Sequence, residues 1–394
     1  MTANVATKLP EIKHTKMLIN GKFVNASDSK TFEVVNPNTK QKVADLPGAT
    51  EDDATAAVAA AKAAFPEWSN LGPEVRGSYF VALLREHQAE IAELESVSMG
   101  RPSSVAYDTV TAARYCELFA KSWPHVQRTY IGHLHPQPPG NSSLNTPGFV
   151  GMTMRQPYGV ETIIIPLPGT LIAGNTVVLK SSEKAPLGVA RVAELIHQAG
   201  FPPGVLNVIS GHGTPSGSVL AHHMEVRIIS FTGSTATGKL IQQAAAKSNL
   251  KMVNLEQGKK TGKLALGGGH IEGTDGFFVQ PTVFLDQPED ARVMKEEIVG
   301  PVVCINTFET EHEAANDTEF GLYAPVFTRE ISKAMRVAKA LESGSVGVNC
   351  SSTSNDLDLH FGGFKHPGQG RRGIPYINDH FLEQKAVFIK VDEV

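Results

Sequence analysis

From residue 159 the sequence alternates short apolar runs with helix-like segments: VETIII, TVVLK, APLGVARVAELIHQAG, VLNVIS, VRIISF, TATGKLIQQAAAK and LKMVNLE. Near-continuous apolar strands separated by amphipathic helices fit a mostly parallel sheet covered on both faces, so the expected class is α/β. Pro186 near one helix start and Gly200 after its end mark the limits of a crossover. The tail repeats the theme more weakly, with VGPVVCINTF, a helix in REISKAMRVAKALESG closed by Gly344, and SVGVN. The last segment, QKAVFIKV, alternates like an edge or subunit-bridging strand.

One connection conflicts with this rhythm. VETIII and TVVLK both read as interior parallel strands, yet little more than LPGTLIAG, Leu167 to Gly174, separates them. A parallel connection needs about a dozen residues or more, usually a helix. Pro168-Gly169 is expected to break a helix in any case. Either a segment is missing or the two strands are not neighbours in one sheet.

Upstream, MLINGKF (17–23) and TFEVVNP (31–37) alternate like half-buried strands joined by NASDSK. Thr50 opens an alanine-rich helix, with Asp52 and Asp53 in its first turn. Residues 74–95 read as an amphipathic helix with Phe80, Leu83, Leu84, Ile91 and Leu94 on one stripe, and 105–121 as another helix. Residues 133–148 read as an exposed loop.

Composition narrows the function. The 394 residues carry a formal net charge of −4 with basic residues scattered, which gives no field for a phosphate backbone and argues against a nucleic-acid partner. The apolar stretch 159–179 is broken by Pro166, Pro168, Gly169 and Asn175, so no membrane span is expected. Three cysteines without a CxxC, and a start without a signal-peptide core, point to a reducing, cytoplasmic setting. Fourteen histidines form no HExxH and no Cys/His set, so no metal is expected. His133 and His135 read as loop residues, and His222 and His223 as helix-surface ones; Cys304 and Cys350 read as strand cysteines that pack rather than attack.

Three stretches suit a nucleotide. VRIISF followed by TGSTATGKLIQQ is strand, glycine turn and helix, which aims backbone N–H groups and a positive helix end at a phosphate. Gly233 to Lys239 fits the first seven places of the P-loop pattern, but Leu240 stands where a magnesium-binding Ser or Thr is needed. The alternative is that these glycines, Gly238 among them, only turn and pack the chain. GHGTPSG (211–217) follows another strand, with glycines that would let backbone approach a pyrophosphate or simply form a loop. Lys180 and Glu183 stand just beyond a strand end; an acid there suits a ribose diol and repels a 2′-phosphate, favouring NAD over NADP, unless the two are a solvated pair.

Taken together the chain resembles the aldehyde dehydrogenase superfamily. The resemblance rests on INGKF, NPNT (36–39), MRQPYGV (154–160) leading into IIIP, GNTVVLKSSEKAPL, PPGVLNVISGHG, FTGSTATGK, VNLE, FVQPTVF, EEIVGP, NDTEFGL, VGVN and FGGFK, in the family's order. It implies a Rossmann-type doubly wound cofactor domain over residues 1–256, with a bridging hairpin near 130–157. A catalytic domain over 257–375 and a bridging strand over 376–394, through which a homo-oligomer would form, complete the expected layout. Ile164, Ile165 and Pro166 would then line the cofactor cleft, Lys180 and Glu183 the adenosine ribose, and Gly213 and Gly217 the adenine. Phe231, Gly233, Ser234 and Gly238 would form the pyrophosphate segment, and Glu297 would hold the nicotinamide ribose, although Val299 replaces the family's aromatic there. Glu256 matches the glutamate that activates water.

The implied reaction oxidises a small aldehyde to its acid with NAD(P)+, through attack by a cysteine thiolate and an oxyanion held partly by an asparagine. The family's tryptophan-asparagine pair and crossover helix should follow IIIP, where this chain has LPGTLIAG. The segment with the nucleophilic cysteine should follow NLEQGKK, where this chain passes to GKLALGGG. On this comparison about a hundred residues are absent, the catalytic domain is truncated, and no cysteine matches the nucleophile. The alternatives to an active oxidoreductase are an inactive nucleotide-binding relative and a mis-spliced gene model.

Overall fold

Thr50 opens helix α1 (Glu51–Asn70) through a capping box: its hydroxyl accepts from Asp53 N at 3.2 Å, and the Asp53 carboxylate accepts from Thr50 N at 2.9 Å. The same carboxylate accepts from Ser27 N at 3.2 Å, tying the helix to the preceding loop. Thr50→Ala removes the hydroxyl and should cost about 1 kcal/mol in urea denaturation; an unchanged midpoint would show that the cap adds nothing. The alanine face of α1, with Ala54, Ala57, Val58 and Ala61 buried, lets it lie close to the sheet. At Gly204 a Cβ would stand 2.5 Å from Ala60 O, and φ is +85°, so both space and backbone demand glycine there.

The protein, seen in a computed structural model, is described at residues 11–72, 75–76, 85–103, 149–164, 168–258, 269, 271, 273–295, 300–308, 310, 316–351, 359–368, 370, 371, 373 and 380–390. Its largest sheet contains β1 (Met17–Ile19), β2 (Lys22–Val24), β6 (Val160–Ile164), β7 (Thr176–Lys180), β8 (Leu206–Ile209), β9 (Val226–Ser234) and β10 (Met252–Gly258). The order is β10-β9-β6-β7-β8-β1-β2; the first five are parallel, and β1 adds antiparallel to β8. Helix α1 and helix α6 (Thr235–Ala246) cover one face, which buries Val178, Ile209, Ile229 and Phe231. Helix α3 (Pro168–Ala173) and helix α4 (Pro186–Gln198) cover the other, with Ile163, Val177, Leu179 and Leu195. TVVLK is buried at all five positions, as expected of a central parallel strand.

The disputed crossover exists. β6 and β7 are parallel neighbours, paired from Val160 with Thr176 to Ile163 with Leu179, which rules out the alternative that the two strands lie apart and leaves the alternative of a missing segment standing. Pro168 does not break α3 because it is its first residue, where a missing N–H removes no helical hydrogen bond. A helix of under two turns suffices because Gly174, at φ +100°, turns the chain directly into β7.

MLINGKF is not one strand but a hairpin. Asn20 and Gly21 take φ of 51° and 71°, the two positive angles that a tight two-residue turn requires, and β1 folds back on β2. β3 (Thr31–Val35) pairs separately with β4 (Lys42–Pro47). The stripe expected over 74–95 is described at α2 (Gln88–Met99), where Ile91 and Leu94 are buried; Phe80, Leu83 and Leu84 lie outside the described residues.

The remaining strands form pairs: β11 (Thr282–Leu285) with β12 (Val302–Ile305), β13 (Tyr323–Val326) with β14 (Ser345–Val348), and β5 (Phe149–Pro157) antiparallel to β15 (Leu382–Lys390). Gly344 does not close α8 (Ile331–Ala340). The chain leaves that helix at Leu341 because Glu342 N is drawn to Asn316 Oδ1 at 2.8 Å. The expected helix over 105–121, the loop over 133–148, most of the hairpin near 130–157, and Cys116, His133 and His135 lie outside the described residues.

Candidate functional site: a nucleotide crevice

The strand order reverses at β6: β7 and β8 add on one side, β9 and β10 on the other. In open α/β sheets the ligand crevice lies at the carboxyl ends of the strands flanking that switch point. The residues singled out from the sequence cluster there. Ile164 at the end of β6 is the register partner of Phe231 on β9, and Glu256 on β10 is the partner of Thr232. For Ile164 and Glu256 only the backbone is described; Ile165, Pro166 and Glu297 lie outside the described residues.

The turn from β9 into α6 has a local cause. Ser234 caps α6, its Oγ accepting from Thr237 N at 3.2 Å. At Gly233 a Cβ would stand 2.5 Å from Cζ of Phe231, so the glycine makes room for that ring. Gly238 is buried on α6. The helix thus presents its free N–H groups and positive end at the switch point, a geometry that suits an anion.

The ends of β7 and β8 form a second wall. Lys180 is buried, and its Nζ donates to Gly211 O at 2.6 Å and Ser181 O at 3.1 Å. Burial pushes its pKa below the ordinary lysine value, while the half-buried Glu183 carboxylate pulls it back up. Its stem runs beneath Gly217, where a Cβ would meet Cε at 3.5 Å. At Gly213 a Cβ would meet nothing within 4 Å, so space stands open above this segment. The structure therefore joins Lys180 to the glycine loop of β8, a contact with Gly211 that the sequence did not single out.

A further acid went unnoticed. Glu161 on β6 is fully buried, and its carboxylate accepts from Ser230 Oγ of β9 at 2.7 Å and from Thr170 Oγ1 of α3. Burial raises its pKa to about 7, against the opposing pull of the two hydroxyls. Its only sequence signal is an acid at the second place of a strand whose other residues are Val, Thr and Ile.

The two described cysteines are half-buried. Cys304 Sγ lies 3.7 Å from Val293 O, with its thiol pKa raised by burial, opposite to an activated thiolate. Cys350 Sγ lies 3.8 Å from the Tyr323 hydroxyl. Among the described residues no cluster of His, Cys, Asp or Glu could hold a metal, and no helix is long and apolar enough to cross a membrane.

The model of the aldehyde dehydrogenase family matches residues 23–262 and 255–387. The mitochondrial aldehyde dehydrogenase of Leishmania tarentolae is 32% identical over 494 aligned positions, covering 96% of each chain. Cytosolic aldehyde dehydrogenase 1 of Elephantulus edwardii is 32% identical, covering 97% of this chain and 96% of its own. Among solved structures, the gamma-glutamyl-gamma-aminobutyraldehyde dehydrogenase of Burkholderia cenocepacia superposes with a TM-score of 0.88 at 31% identity, covering 97% of both chains. An indole-3-acetaldehyde dehydrogenase mutant of P. syringae, in complex with NAD+, superposes with a TM-score of 0.86 at 29% identity, again covering 97% of both. The two stretches matched by the family model together span more than half of the sequence, and this chain belongs to the aldehyde dehydrogenase family.

Proposed function

We propose that this chain is an NAD-binding member of the family whose covalent step is disabled. The observation that carries the reading is the convergence of Lys180, Gly213, Gly217, Phe231, Gly233 and Ser234 at the carboxyl ends of β7, β8 and β9, beside the switch point. The capped N-terminus of α6 would hold the pyrophosphate, Lys180 and Glu183 the adenosine ribose, and the open space at Gly213 would take the adenine edge. Glu183 favours NAD over NADP because its carboxylate repels a 2′-phosphate. When bound, NAD supplies a hydride acceptor; Glu256 is the residue that would draw a proton from water.

Aldehyde oxidation by the family's route needs a thiolate and an oxyanion asparagine. Neither Cys304 nor Cys350, both half-buried, matches the family's nucleophile, and this chain has LPGTLIAG where the asparagine would follow IIIP. Truncation has support of its own. An alignment of 485 positions covering 96% of 394 residues leaves about 107 positions opposite no residue of this chain, and the two family matches meet at 255–262. Leu285, Val303 and Ile305 are all exposed on β11 and β12, as expected of a sheet that has lost a covering segment. The same break at 255–262 supports the second reading, that coding segments were dropped, and sequencing the transcript decides between them.

Calorimetry should show saturable NAD binding, tighter than NADP, with no NADH formed from a panel of small aldehydes. Robust NADH formation would mean that another group supplies the nucleophile; a folded, NAD-blind protein would end the proposal. The β15 strand, exposed at Gln384, Lys385 and Ala386, is available to join a second copy in a cytoplasmic homo-oligomer. Deleting residues 382–394 should then reduce the mass found by light scattering.

A further inference from the structure

We infer that Glu161 is a positioning residue for the nucleotide crevice: its buried carboxylate pins α3 and β9 to β6 and so sets the mouth of the switch point. The inference rests on the crevice proposed above as an NAD site. The acid lies three residues before Ile164, the end of β6, and its partner Ser230 immediately precedes Phe231, the register partner of Ile164. Its other partner, Thr170, belongs to α3, the short helix that returns the chain from β6 to β7. One side chain thus bridges three elements that meet at the crevice, and no main-chain ladder links α3 to β9.

The bridge responds to protonation. As a carboxylate, Glu161 accepts from both hydroxyls in charge-assisted bonds, roughly twice as strong as neutral ones. As a carboxylic acid it must donate to one of them and accepts from the other more weakly. Among the described residues no neighbouring charge intervenes. α3 carries no titratable side chain. On β7, Lys180 belongs to the opposite face and is bound to Gly211 O; on β9, Arg227 is exposed and lies against Gly159. Arg76 donates to carbonyls, one of them Ile172 O of α3. Arg191 of α4 pairs with Glu194 and with Glu90 of α2, and Glu194 also meets His14. Burial raises the pKa to about 7 against the pull of the two hydroxyls, so the change of state falls near neutrality, where the ionised form holds the crevice more firmly.

A built-in reporter makes this testable. Trp68 is buried and donates its indole N–H to Leu171 O of α3 at 3.1 Å, next to Thr170. The second tryptophan, Trp123, can be removed as Trp123→Phe. In that background the near-UV signal of Trp68 should titrate between about pH 6 and 8, and Glu161→Gln should flatten it. The NAD dissociation constant, measured by calorimetry, should tighten about fivefold over the same range, the worth of one strengthened hydrogen bond of about 1 kcal/mol. Glu161→Gln should hold it at the low-pH value throughout, and Thr170→Val should abolish most of the gain at pH 8. A flat Trp68 signal in the parent, or a pH profile of NAD affinity unchanged by both variants, overturns the inference. A Trp68 titration erased by Glu161→Gln in a protein that never binds NAD supports the pin and instead sinks the nucleotide reading.

Discussion

Raising the pH from about 4.5 to about 7 should cost this protein roughly 3 kcal/mol through Glu161 alone, and Glu161→Gln should remove that cost. The folded-state pKa is raised above the unfolded value, so the native protein binds more protons than the unfolded chain between the two. The stability that the neutral acid contributes is fully present below about pH 4.5, is lost as the pH climbs to about 7, and changes no further above that. Other groups add their own slopes. Glu90, for example, is held below the usual carboxylate range despite its own burial, by the Arg191 guanidinium and His87, and so loses stability in the opposite direction on acidification. The comparison is therefore between parent and variant at each pH. Urea midpoints should nearly coincide at pH 5 and diverge in favour of the variant by pH 8, because the buried amide donates to one hydroxyl and accepts from the other without a charge. A difference that stays constant across pH would show that Glu161 does not change state in this window.

The legible and illegible parts of the fold divide by how local their causes are. Thr50 with Asp53, Pro186 with Gly200, and the buried run TVVLK act within a few residues, so their elements could be read directly. The NG turn at Asn20 and Gly21 is equally local, but the alternation of MLI and KFV continues across it and hid the reversal. α3 was missed because a rule about typical crossover length outweighed a proline at a helix start, where proline is at home. Glu161 is a different case: its partners lie 9 and 69 residues away, and no spacing announces them. The crevice shows the same divide. Gly233 and Ser234 declare a turn into a helix, whereas the hold of Lys180 on Gly211 depends on β7 and β8 being neighbours.

The second large effect is expected at Arg76, and it follows from the shortness of α3. A helix of six residues leaves most of its carbonyls without an internal partner, and this one ends inside the protein, where water cannot replace them. Arg76, itself buried, donates Nε to Ile172 O at 2.8 Å and Nη1 to Ser69 O at 3.2 Å and to Leu71 O, so one guanidinium closes the end of α3 and the end of α1 together. Burial depresses its pKa to about 10, which still leaves it charged at neutral pH. Arg76→Ala withdraws the donors and leaves a buried carbonyl at the end of α3 and part-buried ones at the end of α1, the buried one alone costing on the order of 1–3 kcal/mol, so a loss of about 2–4 kcal/mol is expected in urea denaturation. Arg76→Lys restores a charge but presents a single point donor in place of the fork, and should recover less than half of the loss. The gap beside Gly174, whose Cβ position lies 3.3 Å from Arg76 Cζ, would remain in either variant. Full recovery by lysine would mean that charge at the two helix ends, rather than the pattern of donated hydrogen bonds, is what holds the short crossover in place.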